Sequence, residues 1–197
     1  MIKVFSFTRR MPGATLAEFE RYWRDVHIPM WADITGIAGY CVSRPVADAA
    51  GPAAPFDGIV ELWYESEAAM AASAGSAAGQ AWRADSALFI GGMRSFLTRE
   101  RMMQPRSTLG LGRENAKSLR LVTSADALPA NAQVHRSVTS SVIRALNRTD
   151  IPLLELGVDP VAFVTQYDSG SPAADAFALV EDVIKMPPDS GHESGGA

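Results

Sequence analysis

The sequence predicts an α+β fold, an antiparallel sheet with helices on one face. The first 103 residues alternate short apolar strands with amphipathic helices in the order β-α-β-β-α-β, the split βαβ or ferredoxin-like arrangement. The first strand, "IKVFSFTR", carries large apolar groups on both faces, Ile2 and Val4 on one and Phe5 and Phe7 on the other. The side of the sheet away from the helices must therefore be covered too, by a second sheet from another copy or from the same chain. The rest of the chain reads β-α-β-β-α, which predicts a second ferredoxin-like unit lacking its last strand.

Each element has a local reason. "MPGAT" breaks the first strand, and Thr15 followed by Glu18 forms a T-x-x-E capping box that starts a helix. Phe19, Tyr22, Trp23, Val26 and Met30 recur at helical spacing as one buried stripe, with His27 four residues beyond Trp23. Pro29 disfavours helical geometry at Ile28, so the helix is expected to end there. A second strand follows in "IAGYCVSR", then an Ala/Gly/Pro loop over 47–55 and a third strand in "DGIVELWY". An Ala-rich helix over 66–74, a helical stretch through "AWRADSALFIG" and a fourth strand in "RSFLTRERMM" complete the first unit, 1–103.

A polar linker, 104–117, leads to the degenerate second unit, 118–186, and a disordered tail, 187–197. In the second unit "SLRLVTSA", "IPLLELGV" and "PVAFVTQYD" read as strands, and "PANAQVHRSVTSSVIRAL" and "PAADAFALVEDVI" as helices. The two halves share negligible sequence identity, so the repeat rests on element order.

Composition narrows the functional classes. With 47% hydrophobic and 20% charged residues, the chain can bury a real core. A net charge of −4, with no basic run interleaved with aromatics, argues against nucleic acid. No stretch approaches the roughly 18 apolar residues of a membrane span, and the N-terminus lacks a signal-peptide core. A cytoplasmic protein with no membrane partner is expected. Cys41 is the only cysteine and reads as a packed strand thiol rather than a nucleophile. Metal ligation is not expected, because zinc or iron needs clustered ligands. "LGLGRE" lies in the linker and supports no dinucleotide site.

The segments "FERYWRDVHIPM", "GIAGYCVSRPV", "FDGIVELWYES" and "RADSALFI", in that order over residues 1–103, resemble the EthD-like family of the dimeric α+β barrel superfamily. The resemblance implies paired sheets forming a barrel, as a homodimer or an intrachain pseudo-dimer, with a pocket for small aromatic, lactone-like or polyketide-like molecules. It implies chemistry without a metal or organic cofactor, and proton transfer by the histidine of a W-x-x-x-H-x-P motif, here Trp23, His27 and Pro29. Isomerisation, cyclisation with loss of water and decarboxylation all fit. A non-catalytic accessory protein and a haem-binding or cofactor-free monooxygenase are the alternatives.

The residues themselves leave choices open. An imidazole suits general acid/base work near neutral pH, yet a histidine near a helix end also serves simply to bond the last carbonyls. Asp57 is the carboxylate expected to partner His27, although before Gly58 it equally suits a turn. Tyr40 is a candidate to orient a substrate oxygen. Trp23, Trp31 and Trp63 are candidate pocket walls, and Glu61 is either a pocket carboxylate or a solvated sheet position. His135 does not match the position of His27 in the second half, so one working pocket per chain is expected.

Overall fold

In the computed structural model, residues 1–47, 52–102, 114–124, 137–146, 148–167 and 175–185 are described. The elements are β1 (Ile2–Arg10), α1 (Leu16–Tyr22), a π turn (Trp23–His27), a 3-10 turn (Ile28–Asp33), β2 (Gly39–Pro45) and β3 (Gly58–Tyr64). They continue with α2 (Glu67–Gly75), α3 (Ala77–Phe89), β4 (Ile90–Met102), β5 (Glu114–Val122), β6 (Ser137–Leu146), β7 (Ala162–Tyr167) and β8 (Phe177–Lys185).

The first half follows its β-α-β-β-α-β pattern, with antiparallel pairing of β1 to β3 and β4 and of β2 to β3. The second half then closes the sheet. The strand order is β1-β3-β2-β8-β5-β7-β6-β4, a closed barrel within one chain. Closure leaves no unpaired sheet edge and explains why β1 is apolar on both faces. Val4 and Ser6 face the helices, whereas Phe5 and Phe7 point into the barrel, where they pack with Phe56, Phe96 and Phe163. Burying each such ring stabilises the fold by about 1.5–3 kcal/mol.

Beyond the phenylalanines the barrel holds an ionic layer. Lys3 Nζ lies 2.6 Å from Glu61 Oε2 and 3.2 Å from Glu100 Oε2. Lys117 donates to both Glu61 and Glu181. Burial alone would raise the pKa of Glu61, but Lys117 and Lys3 outweigh it and hold the carboxyl at about 2. Glu61 is thus neither a pocket carboxylate nor a solvated sheet residue: it is fully buried and bridges the two halves of the chain.

The second half departs from its expected elements. Residues 137–146, expected to be helical, form β6, because Val138, Thr139, Val142 and Ile143 are β-branched and the edge of β4 offers a partner. Residues 177–184, also expected to be helical, lie in β8, with Leu179, Glu181 and Val183 buried at a period of two. The strand expected at 151–158 is an irregular segment with a single parallel bridge, Leu153 to Met93, and its Pro152 has no N–H to donate. The last residues assigned to the linker begin β5. His135, the loop core 48–51 and the expected tail at 187–197 lie outside the described residues.

Candidate active site

The capping box fixes where α1 begins. Glu18 N donates to Thr15 Oγ1 at 3.2 Å, and Thr15 N donates to Glu18 Oε2 at 2.9 Å. After Tyr22 the helix widens into a π turn, in which the Ile28 amide reaches back to the Trp23 carbonyl. Spanning five residues rather than four, this bond places His27 beneath Trp23 and turns Val26 outward. Trp23 and His27 are each 3% exposed and Val26 is 43% exposed, so Val26 leaves the stripe on which it was expected. The helical backbone also passes Pro29 and runs as a 3-10 turn to Asp33. Proline is accommodated because it sits in the first turn, where its missing N–H costs nothing.

The imidazole does not close its own helix. Its Nδ1 lies 2.7 Å from Asp85 Oδ2 on α3, and Tyr22 Oη donates to the other oxygen, Asp85 Oδ1, at 2.8 Å. Trp82, also on α3, donates its indole N–H to the His27 carbonyl at 3.0 Å. Its ring stacks on the imidazole with centroids 5.0 Å apart and planes 13° apart. Phe89 packs against another side of the imidazole at 4.8 Å. Trp82, Asp85 and Phe89 fall at i, i+3 and i+7 on α3, one helical face. This face holds the histidine ring in place.

With Asp85 as acceptor, Nδ1 carries the proton of the neutral ring and Nε2 is left with its lone pair. Among the described residues Nε2 has no hydrogen-bond partner. Burial pushes the imidazole pKa down, Asp85 pushes it up and Arg148 adds to the lowering, leaving it below the ordinary histidine value. His27 is therefore neutral at neutral pH and equipped as a base. The Asp85 carboxylate also raises the Tyr22 pKa, keeping its hydroxyl a donor.

His27 lines a cavity of about 430 Å³ between the helices and the outer face of the sheet, room for a fused two- or three-ring molecule. Val4, Val60 and Leu62 floor it, while Trp23, Met70 and Trp82 wall the helical side. Ser6 and Ser95, whose hydroxyls are 2.8 Å apart, and Tyr64 add polar groups. Burial pushes the Tyr64 hydroxyl up to about 12, so it remains a donor. Gly58 shapes the wall next to Trp23: a Cβ there would lie 2.1 Å from the indole. Among the described residues no group of three or more His, Cys, Asp and Glu side chains is placed to hold a metal ion.

Of the residues singled out in the sequence, His27 and Trp23 meet at the cavity. The others lie elsewhere. Asp57 pairs with Arg10, accepting from its backbone amide at 2.9 Å and from its guanidinium, and serves the turn before β3 rather than His27. Tyr40 is fully buried behind Trp82, and burial raises its hydroxyl pKa well above the ordinary range. Trp31 packs edge-on against Tyr40, outside the cavity lining. Trp63 and Glu61 face the barrel interior, where the Trp63 indole donates to Glu100 at 3.0 Å. Asp85 and Trp82 were not identified as site residues, although W-x-x-D-S-x-x-F puts both on one helical face.

Residues 11–92 match the family model described as EthD domain. This segment, less than half of the chain, is similar to the EthD domain. The matched segment contains α1, the π turn, α2 and α3, and with them the His27–Asp85 pair. A solved EthD-family protein of Bacillus halodurans C-125 is 22% identical, covering 51% of this chain and 99% of its own, with a TM-score of 0.45. Two further solved structures extend over nearly the whole chain. An anthrone oxidase-like protein is 12% identical, covering 100% of this chain and 96% of its own, with a TM-score of 0.57. A "putative monooxygenase" of Lactobacillus acidophilus NCFM is 7% identical, covering 94% and 98%, with a TM-score of 0.53. These two share the fold of nearly the whole chain. No curated protein matches the sequence. No helix among the described residues is long and apolar enough to cross a membrane.

Proposed function

We propose that the EthD-like segment, with its cavity completed by the second half of the chain, is an enzyme that removes a proton from a flat, enolisable aromatic or polyketide-like molecule. The observation that carries this reading is the His27 Nδ1–Asp85 contact of 2.7 Å in a ring that lines the cavity, which leaves Nε2 as the nitrogen for a ligand. A base held in one tautomer by a carboxylate, between aromatic walls that exclude water, can take a proton from an acidic carbon or hydroxyl. Tyr64 and the Ser6–Ser95 pair are donors for the enolate oxygen that forms. The protonated His27 then returns the proton at another position, giving isomerisation, or to a leaving hydroxyl, giving cyclisation with loss of water. Decarboxylation fits the same machinery when neutral His27 first takes the proton of the substrate's carboxylic acid and the resulting imidazolium returns it to the carbanion left by carbon dioxide.

A second reading lets the same carbanion meet dioxygen. Its support is the full-length fold shared with an anthrone oxidase-like protein. An anthrone would lose one proton to His27, combine with dioxygen at the resulting carbanion, and yield the quinone and water, with no external reductant required.

One experiment separates these readings. The protein is incubated in D₂O without oxygen with anthrone, a cyclic 1,3-diketone and an α,β-unsaturated lactone, and carbon-bound deuterium is followed by mass spectrometry. Accelerated exchange that disappears in His27→Gln supports proton transfer, and quinone formed from anthrone on admitting air supports the oxygen-using form. Binding without exchange of any probe would replace the enzyme reading with that of an accessory binding protein.

A further inference from the structure

Beside the neutral His27, the charged side chains lining the cavity among the described residues are Arg83, Arg144 and Arg148, with no carboxylate among them. Arg83 comes from α3, whereas Arg144 lies on β6 and Arg148 in the segment that follows it. Two of the three arginines therefore come from outside the EthD-like segment. Arg148 is anchored: its Nε donates to Asp150 Oδ1 at 2.9 Å, its Nη2 donates to the Arg83 carbonyl at 2.6 Å, and its side chain is 13% exposed. Its charge adds a small contribution against protonation of His27, after burial and Asp85. Arg144 is tied to Glu67 at 2.8 Å in a pair whose side chains are about half exposed. Such a pair is weak and exchanges readily for a better anion. The charge of Arg83 reaches the same Asp150 carboxylate that Arg148 holds, so the two guanidinium groups share one counter-charge.

We propose that the cavity is selective for an anionic substrate, an aromatic or polyketide-like carboxylate whose ring lies against Trp23 and Trp82 and whose carboxylate meets Arg83, Arg144 and Arg148. The second half of the chain then does more than complete the barrel, because it supplies two of the three groups that choose the ligand. Guanidinium groups suit this role, since their planar donors match a carboxylate's two oxygens. A bound anion also offsets the effect of Arg148 on His27, so its arrival makes the ring a better proton acceptor. The proposal names the substrate class for the proton-transfer site and rests on that reading for its catalytic meaning, though not for its binding test.

Calorimetric titration with 1-hydroxy-2-naphthoate and with its methyl ester, which keeps the ring and removes the charge, tests the assignment. The acid is expected to bind about tenfold or more tightly than the ester, with the preference shrinking as salt is raised. Arg144→Gln and Arg148→Gln are expected to reduce the preference singly and together to remove most of it, with little change in ester binding. Equal binding of acid and ester, or failure of both to bind, overturns the proposal. So does an equal loss for both ligands in the arginine variants, which would make Arg144 and Arg148 mere ties between β6 and the helices. His27→Gln that abolishes proton exchange yet keeps the preference leaves the inference intact. Preference in the wild type with no exchange on any probe would overturn the catalytic reading alone.

Discussion

His27 and Asp85 stand 58 positions apart in the chain and 2.7 Å apart in the fold. A π turn in the first helical segment and one face of α3 create that proximity. The histidine's tautomer, its orientation and the availability of Nε2 all depend on it.

Asp85→Asn tests the partner directly. The asparagine fills the same space but loses the charge that supports protonation of the ring, and its amide can present N–H instead of oxygen to Nδ1. Exchange or turnover should fall by about 10²–10⁴-fold, and the His27 titration should move further below its wild-type value. Tyr22→Phe removes only the hydroxyl that holds Asp85 and should cost less. A rate change without any movement of the His27 titration would contradict the positioning role.

Stability should depend on pH in two separate windows. A free imidazole takes up a proton near pH 6.5, whereas buried His27 does so lower, because burial outweighs Asp85. The unfolded chain therefore binds the proton first, and stability drops as pH falls from about 6.5 towards the folded pKa. His27→Gln should flatten that part of the curve. Glu61, held at about 2, acts in a lower window. Its contribution is present above the ordinary glutamate value of about 4.3 and is lost as pH falls towards 2. Urea midpoints measured across both windows, with and without the substitution, check the signs.

Lys117 is bonded to Glu61 and Glu181 inside the barrel. Lys117→Met should destabilise the fold by about 3–5 kcal/mol, since it leaves buried carboxylates with too little positive charge. Adding Glu181→Leu should recover much of that loss, because Glu61 keeps Lys3 at 2.6 Å. Denaturant titration of the single and double variants measures the difference. Equal destabilisation in both would mean that packing rather than charge balance governs this layer.

Gly58 lies under the Trp23 ring, and an added Cβ would come within 2.1 Å of it. Gly58→Ala should cost about 1–3 kcal/mol through displaced packing and weaken ligand binding by shifting a cavity wall. Unfolding and ligand titration of the same variant should show both effects. Unchanged binding would separate Trp23 from the ligand.

The first half was legible because its signals are local. Thr15 and Glu18 mark a helix start, Ser66 caps α2 as a serine should, and the two-sided apolar pattern of β1 required cover on both faces. The second half was misread where local pattern and tertiary pairing compete. "SVTSSVIRAL" allows helical spacing of its apolar residues, yet β4 needs a neighbour and β-branched side chains accept that pairing. At the site, His27 could be found from its motif, but its carboxylate could not be chosen by proximity in sequence. Asp57 beside Gly58 suits a carboxylate partner by sequence yet serves Arg10, while nothing local marks Asp85, 58 positions from His27, as that partner. Glu61 and Trp63 occupy alternate positions of β3, and the sequence did not show that their face points into a closed barrel.

The central claim is that His27 is a neutral base with its proton on Nδ1 and its free nitrogen at the cavity. Nitrogen-detected NMR of the histidine rings across pH 5–8, with the His27 signals identified by His27→Gln and recorded with and without 1-hydroxy-2-naphthoate, measures this directly. The account predicts an Nδ1–H tautomer, a titration below about 6.5 and an Nε2 resonance that moves when ligand binds. An Nε2–H tautomer, or a ring that titrates at the ordinary value and ignores a bound ligand, would contradict it.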